Sequence, residues 1–161
     1  MNGTLPPSSQ PQTFDVAVMH GSSCPVDASE WVPRGHSLSR ARLCHLCESD
    51  VIVVRDGSDA VGLAAYKRAN SEVRVVHEFL LDLRLAGPPA VQVTDALLSA
   101  LEMVAHEEGV SCLTFLLRSR VVMAPFEQRG YMSLALDSDN VWLQRKLGWL
   151  GWCGIGSARP N

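Results

Sequence analysis

Two stretches of this 161-residue chain place groups able to move protons or hold metals next to one another. The first is His77-Glu78, in the middle of the strand-like run Val73 to Leu85 (VRVVHEFLLDLRL). Both side chains can exchange a proton. With a side-chain period of two they should point to opposite faces, so only one would reach a given cleft. A carboxylate half-buried in such a cleft has its pKa raised, which favours Glu78 for proton work and leaves His77 as the alternate. The second is Cys44-His45-Leu46-Cys47, which has metal-like spacing. A zinc site needs a second ligand pair, and Cys24 and His36 form no recognisable half-site. The plainer reading puts Cys44 and Cys47 on the core side of a helix as small hydrophobes, with no metal expected. Five cysteines, an odd number without dense spacing, do not make the disulfide framework of a small secreted domain.

These residues need elements to hold them. Thr13 to His20 alternates apolar and polar residues as a first strand, after a polar, proline-containing leader, residues 1–12. Asp27 can cap a short helix through Trp31, and Ser37 a second one, Leu38 to Glu48. Asp50 to Arg55 and Ala60 to Arg68 flank Asp56-Gly57, a hairpin signal. The run from Val73 to Leu85 is a long strand, broken by Ala86-Gly87-Pro88-Pro89. Val93, Leu97, Ala100, Leu101 and Val104 then share one helical face; Pro89 suits its first turn and Gly109 its C-terminal cap. Ser111 to Leu117 is a buried strand, and Ser119 can cap a short helix that Gly130 ends. Tyr131 to Leu136 and Val141 to Lys146 form a last strand pair around residues 137–140. Residues 148–161 are a tail with Trp149 and Trp152 among glycines. Strand, helix and strand between Val73 and Leu117 make a βαβ unit, which requires parallel pairing there, while the earlier hairpins are antiparallel. The fold class is α/β: a mixed sheet covered by helices, one domain over residues 13–147.

Composition narrows the function. Hydrophobic residues make up 47% and charged residues 19%, enough for a buried core, and the formal net charge is -3. That balance does not suit a nucleic-acid partner, whose binder usually shows a basic face. No apolar run approaches the length that spans a bilayer, and the leader has no apolar signal core. A cytoplasmic protein is expected. The two tail tryptophans, costly if exposed, suggest packing on this domain or on a second subunit, so a homodimer is expected.

The element order resembles that of the GNAT superfamily of N-acyltransferases over about residues 13–147. Two stretches sharpen the likeness. Ala124-Pro125-Phe126-Glu127-Gln128-Arg129-Gly130-Tyr131 is similar to the family's late helix and the Gly-aromatic pair opening its sixth strand. Thr94 to Glu102 is similar to the helix after the family's pyrophosphate loop. The resemblance implies a GNAT-like fold, acetyl-CoA as co-substrate, and direct attack by a primary amine of a small molecule or peptide, without a protein nucleophile. It implies that free backbone groups of the long strand near Leu80, Leu81 and Leu83 pair with the pantetheine arm. The helix start, Val91, Gln92, Val93 and Thr94, would offer amides and the Thr94 hydroxyl to the pyrophosphate. It places the general base mid-strand, at Glu78 or else His77, and substrate-determining loops near residues 31–37 and 137–140.

The chain departs from the family pattern twice. Its loop, Pro89 to Thr94, lacks the family's glycines and basic residue, for which Arg84 could compensate. Phe126 stands where a tyrosine general acid is common; Cys112, Ser119 or a water could replace it. Tyr131 is assigned to core packing. These departures keep open a second reading, a GNAT-shaped binding or regulatory module that has lost chemistry, with or without CoA bound.

Overall fold

The computed structural model describes residues 12–21, 28–118, 122–136 and 140–148. Most of the leader and tail lie outside them, as do Cys24, Asp27, Ser119, Asp137, Trp149, Trp152 and Cys153.

Seven strands form one sheet: β1 (Asp15–Met19), β2 (Asp50–Asp56), β3 (Asp59–Arg68), β4 (Val73–Leu81), β5 (Cys112–Leu117), β6 (Met132–Leu136) and β7 (Val141–Lys146). Their order is β1-β2-β3-β4-β5-β7-β6. β4 and β5 are parallel, as a βαβ connection requires, and the other neighbours are antiparallel. The Asp56-Gly57 hairpin forms, with Gly57 at φ 61°. The last two strands form the expected antiparallel pair, but β7 inserts between β5 and β6.

Helices cover both faces. On one side lie a 3-10 turn, Ala28–Trp31, and α1, Arg40–Cys47. The helix starts later than expected because the cap is Ser39 rather than Ser37: the Ser39 hydroxyl accepts from the Arg42 N–H at 3.3 Å. Trp31, Leu46, Val51, Val53, Leu63 and Leu80 pack together on this side. On the other side lies α2, Pro88–Glu107. Its buried stripe, Val93, Leu97, Leu101 and Val104, meets Ile52, Ala64, Val76, Phe79 and Phe115. Burying one such side chain contributes roughly 1.5–3 kcal/mol, so this stripe fixes the helix on the sheet. Gly109 (φ 70°) ends α2 as expected. Gly62 lets the helix approach closely: a Cβ there would lie 2.6 Å from Val93 Cγ1.

β4 ends at Leu81, four residues before the apolar pattern does. The Asp82 carboxylate accepts from the Arg84 backbone N–H at 2.9 Å, and Leu85 N–H donates to the Asp82 carbonyl, turning the chain locally. α3, Ala124–Gln128, places Phe126 fully buried among Phe79, Phe115 and Tyr131, with ring centroids 5.2–5.8 Å apart.

Candidate active site

β4 and β5 pair from Val73↔Cys112 to Val76↔Phe115 and no further. β4 continues for five residues, His77 to Leu81, along β3, while β5 runs on to Leu117 along β7. The two parallel strands therefore part, and backbone groups of β4 face the gap.

Register identifies them. Asp82 N–H donates to Val61 carbonyl at 2.9 Å, so residue 82 turns its peptide groups toward β3. By alternation along an antiparallel ladder Leu80 and Glu78 do the same, whereas Phe79 and Leu81 turn theirs toward the gap. Of the residues assigned to this edge from sequence, Leu81 faces the opening, its carbonyl contacting His36 Nε2 at 2.6 Å. Leu80 is spent on β3, with its side chain buried on the α1 side. Leu83 is 64% exposed in the turn beyond the strand, its N–H bonded to the Arg34 carbonyl. Phe79, not singled out from sequence, takes the place expected of Leu80 and Leu83.

The start of α2 also differs from expectation. The helix begins at Pro88, with Gly87 (φ 60°, ψ −139°) as its N-cap, so Val91, Gln92, Val93 and Thr94 lie inside it rather than at its open end. The Val91 N–H already bonds the Gly87 carbonyl. Val93 is buried against the sheet, and the buried Thr94 hydroxyl donates to the Ala90 carbonyl at 2.8 Å, so it has no proton for a phosphate. Gln92 is exposed on the helix surface. Pro88 and Pro89 carry no N–H, which leaves Gly87 and Ala90 as the donors of the first turn. Arg84, three residues ahead of Gly87 in the chain, is exposed, with its guanidinium 2.6 Å from Asp82. That contact holds the Asp82 carboxyl below its ordinary pKa.

His77 and Glu78 do not point to opposite faces. Ala65 pairs with Glu78 and Tyr66 with Val76, so His77 is an extra residue in β4, a β-bulge. The bulge breaks the period of two and turns both side chains to the α1 side. There Arg42 grips Glu78 with two short bonds, Nε–Oε1 2.7 Å and Nη2–Oε2 2.6 Å, and the carboxylate is 5% exposed. Both oxygens of Glu78 are thus engaged by one guanidinium.

His77 Nε2 lies 2.9 Å from Ser49 Oγ, and that hydroxyl bonds the His45 carbonyl at 2.5 Å. Ser49 has one hydroxyl proton and gives it to the carbonyl, so His77 Nε2 must be the donor in its bond to Ser49. The lone pair then sits on Nδ1. Burial lowers the His77 pKa below its ordinary 6.5, opposed by the Glu78 charge and reinforced by Lys67, His45 and Arg118. His77 is a neutral imidazole at pH 7 with one nitrogen fixed and the other available.

Both residues line a cavity of about 250 Å³ on the α1 side, together with Arg42, His45, Lys67 and Arg118. Sequence spacing marks His45 only as part of the Cys44–Cys47 stretch and gives no sign of Arg42, Lys67 or Arg118: α1, β3 and the end of β5 bring them together. Residues 31–37, expected to shape this site, instead cover the end of β4 through the Arg34 and His36 bonds, and residues 137–139 lie outside the described residues.

The remaining candidates fall elsewhere. Cys112 begins β5 at the zipped end of the pair, away from the gap. Tyr131 donates its hydroxyl to Glu102 at 2.9 Å, and burial pushes that phenol well above its ordinary pKa. Phe126 has no proton to give. Cys44 is an exposed thiol, not a core residue, and Cys47 is disulfide-bonded. Among the described residues no group of three or more His, Cys, Asp or Glu side chains is placed to hold a metal, and no helix is long and apolar enough to cross a membrane.

A mixed sheet whose central parallel strands part beside a helix start is the fold of the GNAT acetyltransferases, and solved structures agree. The chain is similar to Ard1 from Thermoplasma volcanium, with a TM-score of 0.62 and 16% identity over 84% of this chain and 98% of that one. It is similar to IAA acetyltransferase from Bacillus cereus ATCC 14579, with a TM-score of 0.64 and 13% identity over 84% of this chain and 100% of that one. A GNAT family acetyltransferase from Elizabethkingia anophelis, solved with acetyl-CoA bound, gives a TM-score of 0.61 at 8% identity, covering 83% and 98% of the two chains. No protein-family model matches the sequence, and no curated protein does. At these identities the likeness establishes the GNAT fold.

Proposed function

We propose that the protein is an acetyl-CoA-dependent N-acetyltransferase acting on a primary amine of a small molecule or peptide. The observation that carries this reading is the parting of β4 from β5 after Val76, with His77 seated at the parting. Acetyl-CoA would supply the activated acetyl group. The N–H and carbonyl groups of Phe79, with the N–H of Leu81, fit an amide-bearing pantetheine arm entering the gap. Gly87 and Ala90 fit its pyrophosphate with fewer donors than a glycine-rich loop would offer, and Arg84 stands near enough in sequence to add charge.

An alkyl amine with a pKa of roughly 10.4 is mostly protonated at pH 7, so its attack requires a base. His77 Nδ1 takes that proton before attack; the freed amine nitrogen then bonds to the thioester carbon, the carbon–sulfur bond breaks, and the nitrogen sheds its second proton. A backbone N–H facing the gap, that of Phe79 or Leu81, stabilises the oxyanion. Glu78, committed to Arg42, anchors the floor of the cavity and favours the imidazolium that forms. The departing thiolate takes that second nitrogen proton, relayed by water, since Phe126 has none to give.

Phe126 favours the second reading, a CoA-holding module without turnover. Acetyl-CoA titration followed by thermal unfolding, with thiol release assayed over an amine panel, separates the two. Saturation at about 100 times Kd should add roughly 2.7 kcal/mol of stability. Stabilisation with thiol release supports the enzyme, and stabilisation without it supports the module. No stabilisation at millimolar acetyl-CoA overturns the enzyme and the CoA-holding module alike.

A further inference from the structure

The His77 cavity is lined by Arg42, Lys67 and Arg118, three cationic side chains, against one carboxylate, Glu78. That is a local excess of positive charge in a chain whose formal net charge is -3. The cations are not equally committed. Arg42 is neutralised by Glu78, both of its bonds at or below 2.7 Å. Lys67 Nζ lies 2.9 Å from His45 Nδ1 and has only the outer, 69% exposed Glu48 as a counter-charge, at 3.7 Å. Arg118, which follows β5 where that strand has left β4, has no ion pair among the described residues. The cavity thus offers two under-compensated cations on walls formed by different strands, with His77 of β4 lining the same cavity. Unpaired cations around a neutral base repel a cationic amine, a poor arrangement unless the acceptor brings compensating negative charge.

We propose that the acceptor is an amine that also carries an anionic group, a carboxylate or a phosphate, which Lys67 and Arg118 hold while the amine nitrogen lies at His77. This rests on the acetyltransferase reading for the reaction, but the anion site stands on the cavity itself. Arg118 can offer a planar pair of N–H donors to either oxyanion, and Lys67 a point charge. The bound anion also makes the approach of a protonated amine less unfavourable.

The test has two arms. In the first, the intact protein with acetyl-CoA is given short ω-amino acids against their carboxamides, and aminoalkyl phosphates against the matching amino alcohols. The anionic member of a pair should show at least about tenfold higher kcat/KM, the effect of one charge-assisted contact. Lys67→Met and Arg118→Gln should each reduce that ratio by about tenfold, and Arg118→Glu should reverse it. Which pair shows the larger ratio tells carboxylate from phosphate. In the second arm, succinate, succinamide and inorganic phosphate are titrated without acetyl-CoA while the His77 imidazole resonances are followed. Saturable shifts with an anion, absent with succinamide and lost in Lys67→Met/Arg118→Gln, support the anion site even if no amine is acetylated, an outcome that would sink the transferase reading alone. Equal or better turnover of the neutral amines, or resonances that move alike with succinate and succinamide, overturns the proposal while leaving the transferase reading intact.

Discussion

Replacing Arg42 with leucine should be among the most damaging single changes on the α1 side, for a reason the geometry makes quantitative. Glu78 is 5% exposed, and both its oxygens are held by Arg42 at 2.7 and 2.6 Å. Removing the guanidinium strands a buried carboxylate. Such a loss costs roughly 3–5 kcal/mol when both partners are fully buried. Arg42 keeps a third of its side-chain surface in water, so about 2–3 kcal/mol is the better figure here. For a chain of this size that is a fall in Tm of about 5–10 °C. Arg42→Leu in a Glu78→Gln background should cost much less, because the amide carries no charge to strand. The assay is a double-mutant cycle by urea and thermal unfolding at pH 7, read as a coupling energy of about 1.5–3 kcal/mol. A coupling below about 0.5 kcal/mol would refute the claim that Glu78 is anchored by Arg42.

His77→Ala should lower kcat by roughly 10²–10⁴, the usual worth of a general base, while leaving acetyl-CoA stabilisation in place; an unchanged kcat removes His77 from the mechanism. Because burial holds the His77 pKa below 6.5, kcat/KM should rise with pH and be half-maximal below pH 6.5. The same shift sets the sign for stability: the unfolded chain binds a proton near pH 6.5 that the folded one resists. Stability should therefore fall as pH drops through 6.5 toward the folded value, and this dependence should flatten in His77→Gln. Gly62→Ala should destabilise by about 1–3 kcal/mol, since the new methyl would sit 2.6 Å from Val93 Cγ1 and 3.1 Å from Leu97 Cδ1. Val93→Ala should recover part of that loss in thermal unfolding.

What could be seen in the sequence was whatever local chemistry decides. The Asp56-Gly57 turn, the helical stripe from Val93 to Val104, the Gly109 stop and the parallel βαβ unit all rest on period, turn residues or chain connectivity, and each is present. Two boundary errors came from equivalent signals lying close together. Ser37 and Ser39 are both good caps, and only the Ser39 hydroxyl meets an open N–H. Leu83 and Leu85 continue the apolar pattern of β4, yet the Asp82 side chain captures the Arg84 N–H first. Pro89 occupies the first turn of α2, as its fixed φ suits, but the helix already begins at Pro88, so Val91 to Thr94 fall past its open N-terminal end. Arg42, Ser49, Lys67 and Arg118 were out of reach, because tertiary packing alone brings α1, β3 and the end of β5 to one cavity.

The bulge explains why the site arose at His77 and not a residue either way. Up to Val76 the strand alternates regularly, with Arg74 and Val76 facing α2 and Val75 facing the cavity. One unpaired residue follows, and beyond it Phe79 again faces α2 while Leu80 faces α1. The inserted residue must share a face with its neighbour, so base and carboxylate fall side by side instead of back to back. The parallel ladder to β5 also ends at Val76, because an extra residue in β4 throws its peptide groups out of step with Leu116 and Leu117. One local irregularity thus opens the gap, exposes the Phe79 and Leu81 peptides to it, and aims His77 at the cavity beside it. Period-two reasoning from sequence cannot anticipate this. Restoring perfect alternation by deleting residue 77 would leave Glu78 on the α1 side, between Val76 and Phe79 on the α2 side, and remove both the base and the gap.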